Sequence, residues 1–142
     1  MSFLEKEDAK PSTFWDWVVG IGLIVLIGGF TLYYQVEKRT SLKRFNEADA
    51  LFAQGKFREA SAAYEELKNA QYLTSKNDSL IYARLDSVDE LEEREREMVA
   101  RLRTKLSAGD TAGARAELSA ATFNGLLEEA DQAWLDSVKQ TF

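Results

Sequence analysis

The sequence predicts an all-α protein, with one N-terminal transmembrane helix followed by an array of antiparallel helical hairpins. Three observations predict it. Residues 17–36, WVVGIGLIVLIGGFTLYYQV, carry no charge. No proline follows Pro11. Residues 37–142 are rich in Ala, Leu, Glu, Lys and Arg and sparse in Val and Ile, which favours helix nearly throughout.

The elements follow in order. Residues 1–13 form a short polar tail. Residues 14–36 form the membrane span. At about 1.5 Å per residue, its uncharged core reaches roughly 30 Å, the thickness of a bilayer's hydrocarbon layer. Phe14, Trp15 and Trp17 flank one end and Phe30, Tyr33 and Tyr34 the other, as an interfacial aromatic belt does. The apolar run passes directly into Gln35-Val36-Glu37-Lys38-Arg39, without the small-residue cleavage site of a signal peptide. Gly22 and Gly29 lie on one helix face, where they would let another transmembrane helix approach.

Residues 37–142 form the second domain. Leu42, Phe45, Ala48, Leu51 and Phe52 recur at helical spacing, in a helix continuous with the span. Gly55 ends it as a residue free to take positive φ. A second helix, about 56–69, carries the stripe Phe57, Ala60, Ala63, Tyr64 and Leu67. Asn77-Asp78-Ser79 reads as a break. Helix is then expected over 79–103, either long or bent near Glu95. There Glu90–Arg94, Glu92–Arg96 and Glu97–Arg101 make favourable i,i+4 pairs, and the charge run 92–97 reads as a solvated face. Met98, Val99, Leu102 and Leu106 lead to a second turn at Gly109. Asp110 caps the next helix, which carries Ala114, Leu118 and Ala121. A last helix is expected over about 126–139, with Leu127, Ala130, Trp134, Leu135 and Val138.

Composition narrows the chemistry. The 142 residues include no Cys and no His, which removes thiolate nucleophiles, Ser-His-Asp arrangements and the usual zinc sites. Carboxylates such as Asp86, Asp89 and Glu90 share one helix, but nothing in the pattern places them in an apolar pocket. No catalytic, cofactor-binding or metal-binding residue is expected, and no small-molecule substrate is evident. From Phe45 onward, 19 carboxylates face 12 basic residues, a balance that disfavours nucleic acid and suits a basic protein surface.

The stretch Phe45-Asn46-Glu47-Ala48-Asp49-Ala50-Leu51-Phe52-Ala53-Gln54-Gly55-Lys56-Phe57-Arg58-Glu59-Ala60, continuing to Tyr64, resembles a tetratricopeptide repeat. The family places a small residue at Ala48, a bulky one at Leu51, Gly at 55, aromatics at 57 and 64, and Ala at 60. Arg44 stands where the family has an aromatic, and Tyr72 where it has a terminating Pro. In the second hairpin Leu102, Gly109 and Ala114 fit, while Thr111 replaces the aromatic. The resemblance implies stacked hairpins whose first helices hold a protein partner on a concave face, here Leu42, Phe45, Asp49 and Phe52. For Phe45 and Phe52 the alternative is core packing.

A single anchor before such repeats is similar in architecture to bacterial inner-membrane proteins that accompany translocon, secretion, envelope and motor complexes. The implied function is a membrane-anchored adaptor, an accessory subunit that binds a protein partner. The alternative is a structural subunit packing through its transmembrane helix. The architecture implies a periplasmic C-terminal domain. The positive charges Lys38, Arg39, Lys43 and Arg44, against Lys6 and Lys10, lean toward a cytoplasmic one.

Overall fold

The computed structural model describes residues 14–68, 70 and 72–142. The polar tail lies outside them. The fold is all-α: α1 is Phe14–Ala53, α2 Phe57–Leu67, α3 Ser75–Ser107, α4 Thr111–Ala120 and α5 Glu129–Thr141, and no strand occurs among the described residues.

The chain divides into one unit ending at Arg39 and another beginning at Thr40, with α1 contributing to both. The first is a bare helix. It is long and apolar enough to cross a membrane, and its apolar window buries nothing within the protein. Its apolar side chains therefore lack protein neighbours, which suits lipid rather than water. Thr31, a polar residue inside the run, donates its hydroxyl to the Ile27 carbonyl at 2.7 Å, so its polar group is satisfied within the helix.

The second unit is a tandem repeat. Both turns use a glycine at positive φ, Gly55 at 76° and Gly109 at 74°, 54 positions apart. Both close the preceding helix by the same pair of bonds. Gly55 N–H donates to Phe52 and Lys56 N–H to Leu51, each at 3.0 Å; Gly109 N–H donates to Leu106 at 3.1 Å and Asp110 N–H to Lys105 at 2.9 Å. These are Schellman caps, in which glycine carries the left-handed residue without Cβ strain. The same offset relates the helix ends Ala53 and Ser107, and the helix starts Phe57 and Thr111, Ser75 and Glu129. It also pairs the buried Phe45 with Val99, Ala48 with Leu102, Ala60 with Ala114 and Ile81 with Leu135.

Each repeat is thus a helix, a glycine turn, a second helix, a loop and a third helix. The third helix of the first repeat and the first helix of the second are one element, α3. Its N-terminal part closes a core of Phe45, Ala48, Ala60, Tyr64 and Leu67 with Ile81 and Leu85. Its C-terminal part supplies Val99 and Leu102 to a second core with Ala114, Leu127 and Leu135. Sharing that helix stretches the repeat beyond the roughly 34 residues of a tetratricopeptide unit.

Two helix starts differ from expectation, and one open alternative is decided: the helix over 79–103 is a single long one. α3 begins at Ser75, because Thr74 accepts the Asn77 N–H at 3.3 Å and caps it there. Asn77-Asp78-Ser79 is therefore the first turn of a helix, not a break. The stretch 79–103 lies within one helix. α5 begins at Glu129, leaving Leu126 and Leu127 as buried loop residues. Asp110 does cap α4, accepting the Gly113 N–H at 2.9 Å.

Candidate functional site

The first-helix face was expected to carry Leu42, Phe45, Asp49 and Phe52, and the fold brings three of these together. The Gly55 turn lays α2 back across that face. Phe45 becomes core, its ring centroid 6.3 Å from that of Tyr64. It is closed off from a partner, which corrects its assignment as a contact residue. Asp49 Oδ1 accepts the Tyr64 hydroxyl at 3.0 Å and lies 3.3 Å from Arg84 Nη2. Burial, and then the hydrogen bond to Asp49, push the Tyr64 phenol up to about 12. Phe52 is half-buried, edge-on to Phe57 at 5.1 Å, with the Arg84 guanidinium 4.3 Å above its ring. Leu42, 46 % exposed, stands apart from this cluster. What reaches solvent is a rim of Asp49, Phe52 and Arg84, joining an anion, a ring face and a cation.

The charge run on α3 hides a buried residue. Glu95 is only 2 % exposed, in contrast to the solvated face expected for 92–97. Its carboxylate accepts the N–H of Asn124 and, at 3.1 Å, that of Leu126. Gly125, at φ 75°, lets the loop curl so that both donors aim at one side chain. A carboxylate one turn of sequence from exposed Arg and Glu gives no local sign of burial, so periodicity alone could not find it. The three expected i,i+4 pairs do form, at Glu90–Arg94, Glu92–Arg96 and Glu97–Arg101. Several of the arginines also work across helices. Arg96 reaches Glu128 at 3.1 Å, Arg101 reaches Glu117 at 2.7 Å and Arg103 reaches Asp131 at 2.7 Å. Hydrogen bonds from Arg101 and then Lys105 hold the Glu117 carboxyl below the usual carboxylate range.

A cleft of about 500 Å³ opens between the repeats, lined by Arg58, Ser61, Val88, Leu126, Glu128 and Glu129 among others. Arg58 donates to the Leu127 carbonyl at 2.7 Å across it. Asp86, Asp89 and Glu90 are exposed on α3, at the solvent side of that helix.

On the apolar helix, a Cβ placed at Gly22 or Gly29 would meet nothing within 4 Å. Both leave a shallow strip of backbone open along the helix surface.

Comparison with protein families, curated proteins and solved structures returns no match for this chain. The class is therefore defined by the fold: among the described residues the protein is all-α, with one helix long and apolar enough to span a membrane.

Proposed function

We propose that this protein is a single-pass adaptor of a bacterial inner membrane, a non-catalytic accessory subunit whose helical repeats bind a protein partner. The observation that carries this reading is the pairing of a bare apolar helix with a helical-repeat domain. Confining the repeats to the membrane raises their effective concentration at a membrane-bound target. Tetratricopeptide-like hairpins suit that work because their surfaces present helix faces rather than a catalytic pocket. Asp49 and Phe52, the part of the first-helix face that a partner reaches, form a half-exposed rim with Arg84 of α3, with Leu42 beside them in sequence. The acidic domain favours a basic partner surface. The domain is proposed to be periplasmic, in a translocon, secretion, envelope or motor complex.

Two experiments test this. Detergent pull-downs with the whole chain and with a chain lacking residues 1–36 should recover the same partner, more weakly without the anchor. Recovery of no specific partner by either form sinks the reading. Reporters fused after Phe142 decide the compartment, and a cytoplasmic result overturns the periplasmic placement.

The open backbone strip at Gly22 and Gly29 favours a second reading, in which the apolar helix packs against another membrane protein and the repeats brace the assembly. Gly22→Leu and Gly29→Leu would then disrupt the complex, whereas Phe52→Ala would not.

A further inference from the structure

The sign of the charge reverses twice around the apolar segment. Before it, Glu5, Glu7, Asp8 and Asp16 outweigh Lys6 and Lys10. Just after it, Lys38, Arg39, Lys43 and Arg44 follow within residues 38–44, with no carboxylate among them. From Phe45 onward, 19 carboxylates again outweigh 12 basic residues. The positive stretch is thus bounded by acidic chain on both sides, and it stands where the apolar run ends.

All four cations lie on α1 and all four are exposed. Among the described residues only Lys43 of the four joins an ion pair, with Glu47 at 3.8 Å. Both side chains of that pair are largely exposed, so it competes weakly with another anion. Arg39 and Lys43, four positions apart, share the helix side away from the buried Ser41 and Phe45. Lys38 and Arg44 flank them, so the charge spreads around the part of the helix that no core covers. Depth along the helix fits as well. Lys38 and Arg39 follow Val36 by roughly 3–5 Å at about 1.5 Å per residue, inside a headgroup layer about 5–7 Å thick. Lys43 and Arg44 follow it by roughly 10–12 Å, beyond that layer by less than the Debye length of about 8 Å.

We propose that Lys38, Arg39, Lys43 and Arg44 form a belt that binds the headgroups of anionic phospholipids at the bilayer surface. This rests on the reading of the apolar helix as a membrane span. Arg39 and Arg44 take headgroup phosphates through two parallel N–H bonds, and Lys38 and Lys43 add compact point charges. The acidic chain on either side is repelled by the same surface, so the attraction is confined to the belt.

The absence of cysteine lets one donor dye be placed beside the belt, on a full-length Gln35→Cys chain. That chain is reconstituted in mixed phosphatidylcholine–phosphatidylglycerol vesicles, with a trace of acceptor on the acyl chain of one lipid or the other. Energy transfer should report phosphatidylglycerol enriched around the helix by about fivefold or more, the factor that about 1 kcal/mol from a single surface cation gives. High salt should erase the preference. Lys38→Gln, Arg39→Gln, Lys43→Gln and Arg44→Gln together should bring the two lipids to parity and leave the helical circular dichroism unchanged. Lys6→Gln with Lys10→Gln should leave the preference intact. Parity in the chain that keeps its four cations overturns the proposal, including the case where an acidic protein is what the belt meets. So does a preference that survives the four substitutions. Alkaline extraction of the same vesicles separates the two levels. A chain washed out refutes the membrane span and the belt with it, whereas a chain retained without lipid preference refutes the belt alone.

Discussion

Glu95 accepts the backbone N–H of Leu126 at 3.1 Å, from the middle of a helix to a loop 31 positions further along the chain. With Asn124 as the second donor, one carboxylate satisfies two backbone N–H groups of the loop before α5. The loop 121–128 keeps its course because of that side chain, and the loop in turn places Leu127 in the second core.

Glu95→Ala should therefore destabilise the repeat domain far more than alanine at its exposed neighbours. The buried Leu126 N–H loses its acceptor, at about 1–3 kcal/mol, and the part-buried Asn124 N–H loses its own at a smaller cost. Glu95→Gln should cost less but not nothing, since its amide group presents a donor to one of the two donors. Urea unfolding of the full chain in detergent, followed at 222 nm, measures both. Equal midpoints for Glu95→Ala and Glu93→Ala would refute the role.

Phe45 and Leu42 separate core from surface on the same helix. Phe45→Ala should cost about 3–5 kcal/mol, as truncation of a buried aromatic does. Leu42→Ala should change stability by less than about 0.5 kcal/mol. Comparable losses at the two positions would show that Leu42 is covered.

Tyr64 links stability to high pH. Its phenol titrates near 12 in the folded chain against 10.0 for the free group. A raised folded pKa means the protonated phenol is preferred in the native state. Its contribution is complete below pH 10 and fades as the pH rises toward 12. Tyr64→Phe removes the bond to Asp49 at about 1 kcal/mol and should flatten the alkaline fall in unfolding midpoint. An unchanged alkaline profile in Tyr64→Phe would remove Tyr64 as its source.

Glu117 links stability to low pH with the opposite sign. Its carboxyl lies below the ordinary range, so the ionised form is preferred in the native state. The contribution is complete above the ordinary carboxylate pKa and is lost as the pH falls through the depressed one. Glu117→Gln should lower the midpoint at pH 7 and leave it nearly unchanged at the acid end. A parallel shift at every pH would mean that packing, not charge, is at issue.

Gly113 and Asp110 are coupled. A Cβ at Gly113 would collide with Asp110 Oδ2 and evict the capping carboxylate. Gly113→Ala in the natural chain should therefore gain little, because about 1 kcal/mol of helix propensity is offset by a lost cap of similar size. In an Asp110→Ala background the same substitution should stabilise by about 1 kcal/mol. A double-mutant cycle in thermal unfolding reads the coupling, and additive effects would exclude it.

The sequence shows most of the local architecture. The apolar span, both glycine turns, the Asp110 cap and the i,i+4 pairs were legible, because each depends on residues within a few positions of one another. The expected helix starts at 79 and 126 failed where distant groups or a single cap decided. Thr74 capped α3 earlier than the Asn-Asp-Ser cluster suggested, and Glu95, from a distant helix, binds the N–H groups of residues 124 and 126 in a loop that precedes α5. Asp49 and Phe52 of the first-helix face form a rim with Arg84 of α3, and Arg84 carried no sequence signal at all.

By itself, the sequence determined that this is an all-α chain with an apolar helix and hairpins turned on glycine, since periodicity, propensity and positive φ act through neighbouring residues. Only the tertiary structure decided that Phe45 is core, that Glu95 is buried and that one helix serves two repeats. Those outcomes rest on contacts between residues tens of positions apart: an apolar stripe marks a helix face for burial, but not which element covers it, nor that a carboxylate is enclosed with it.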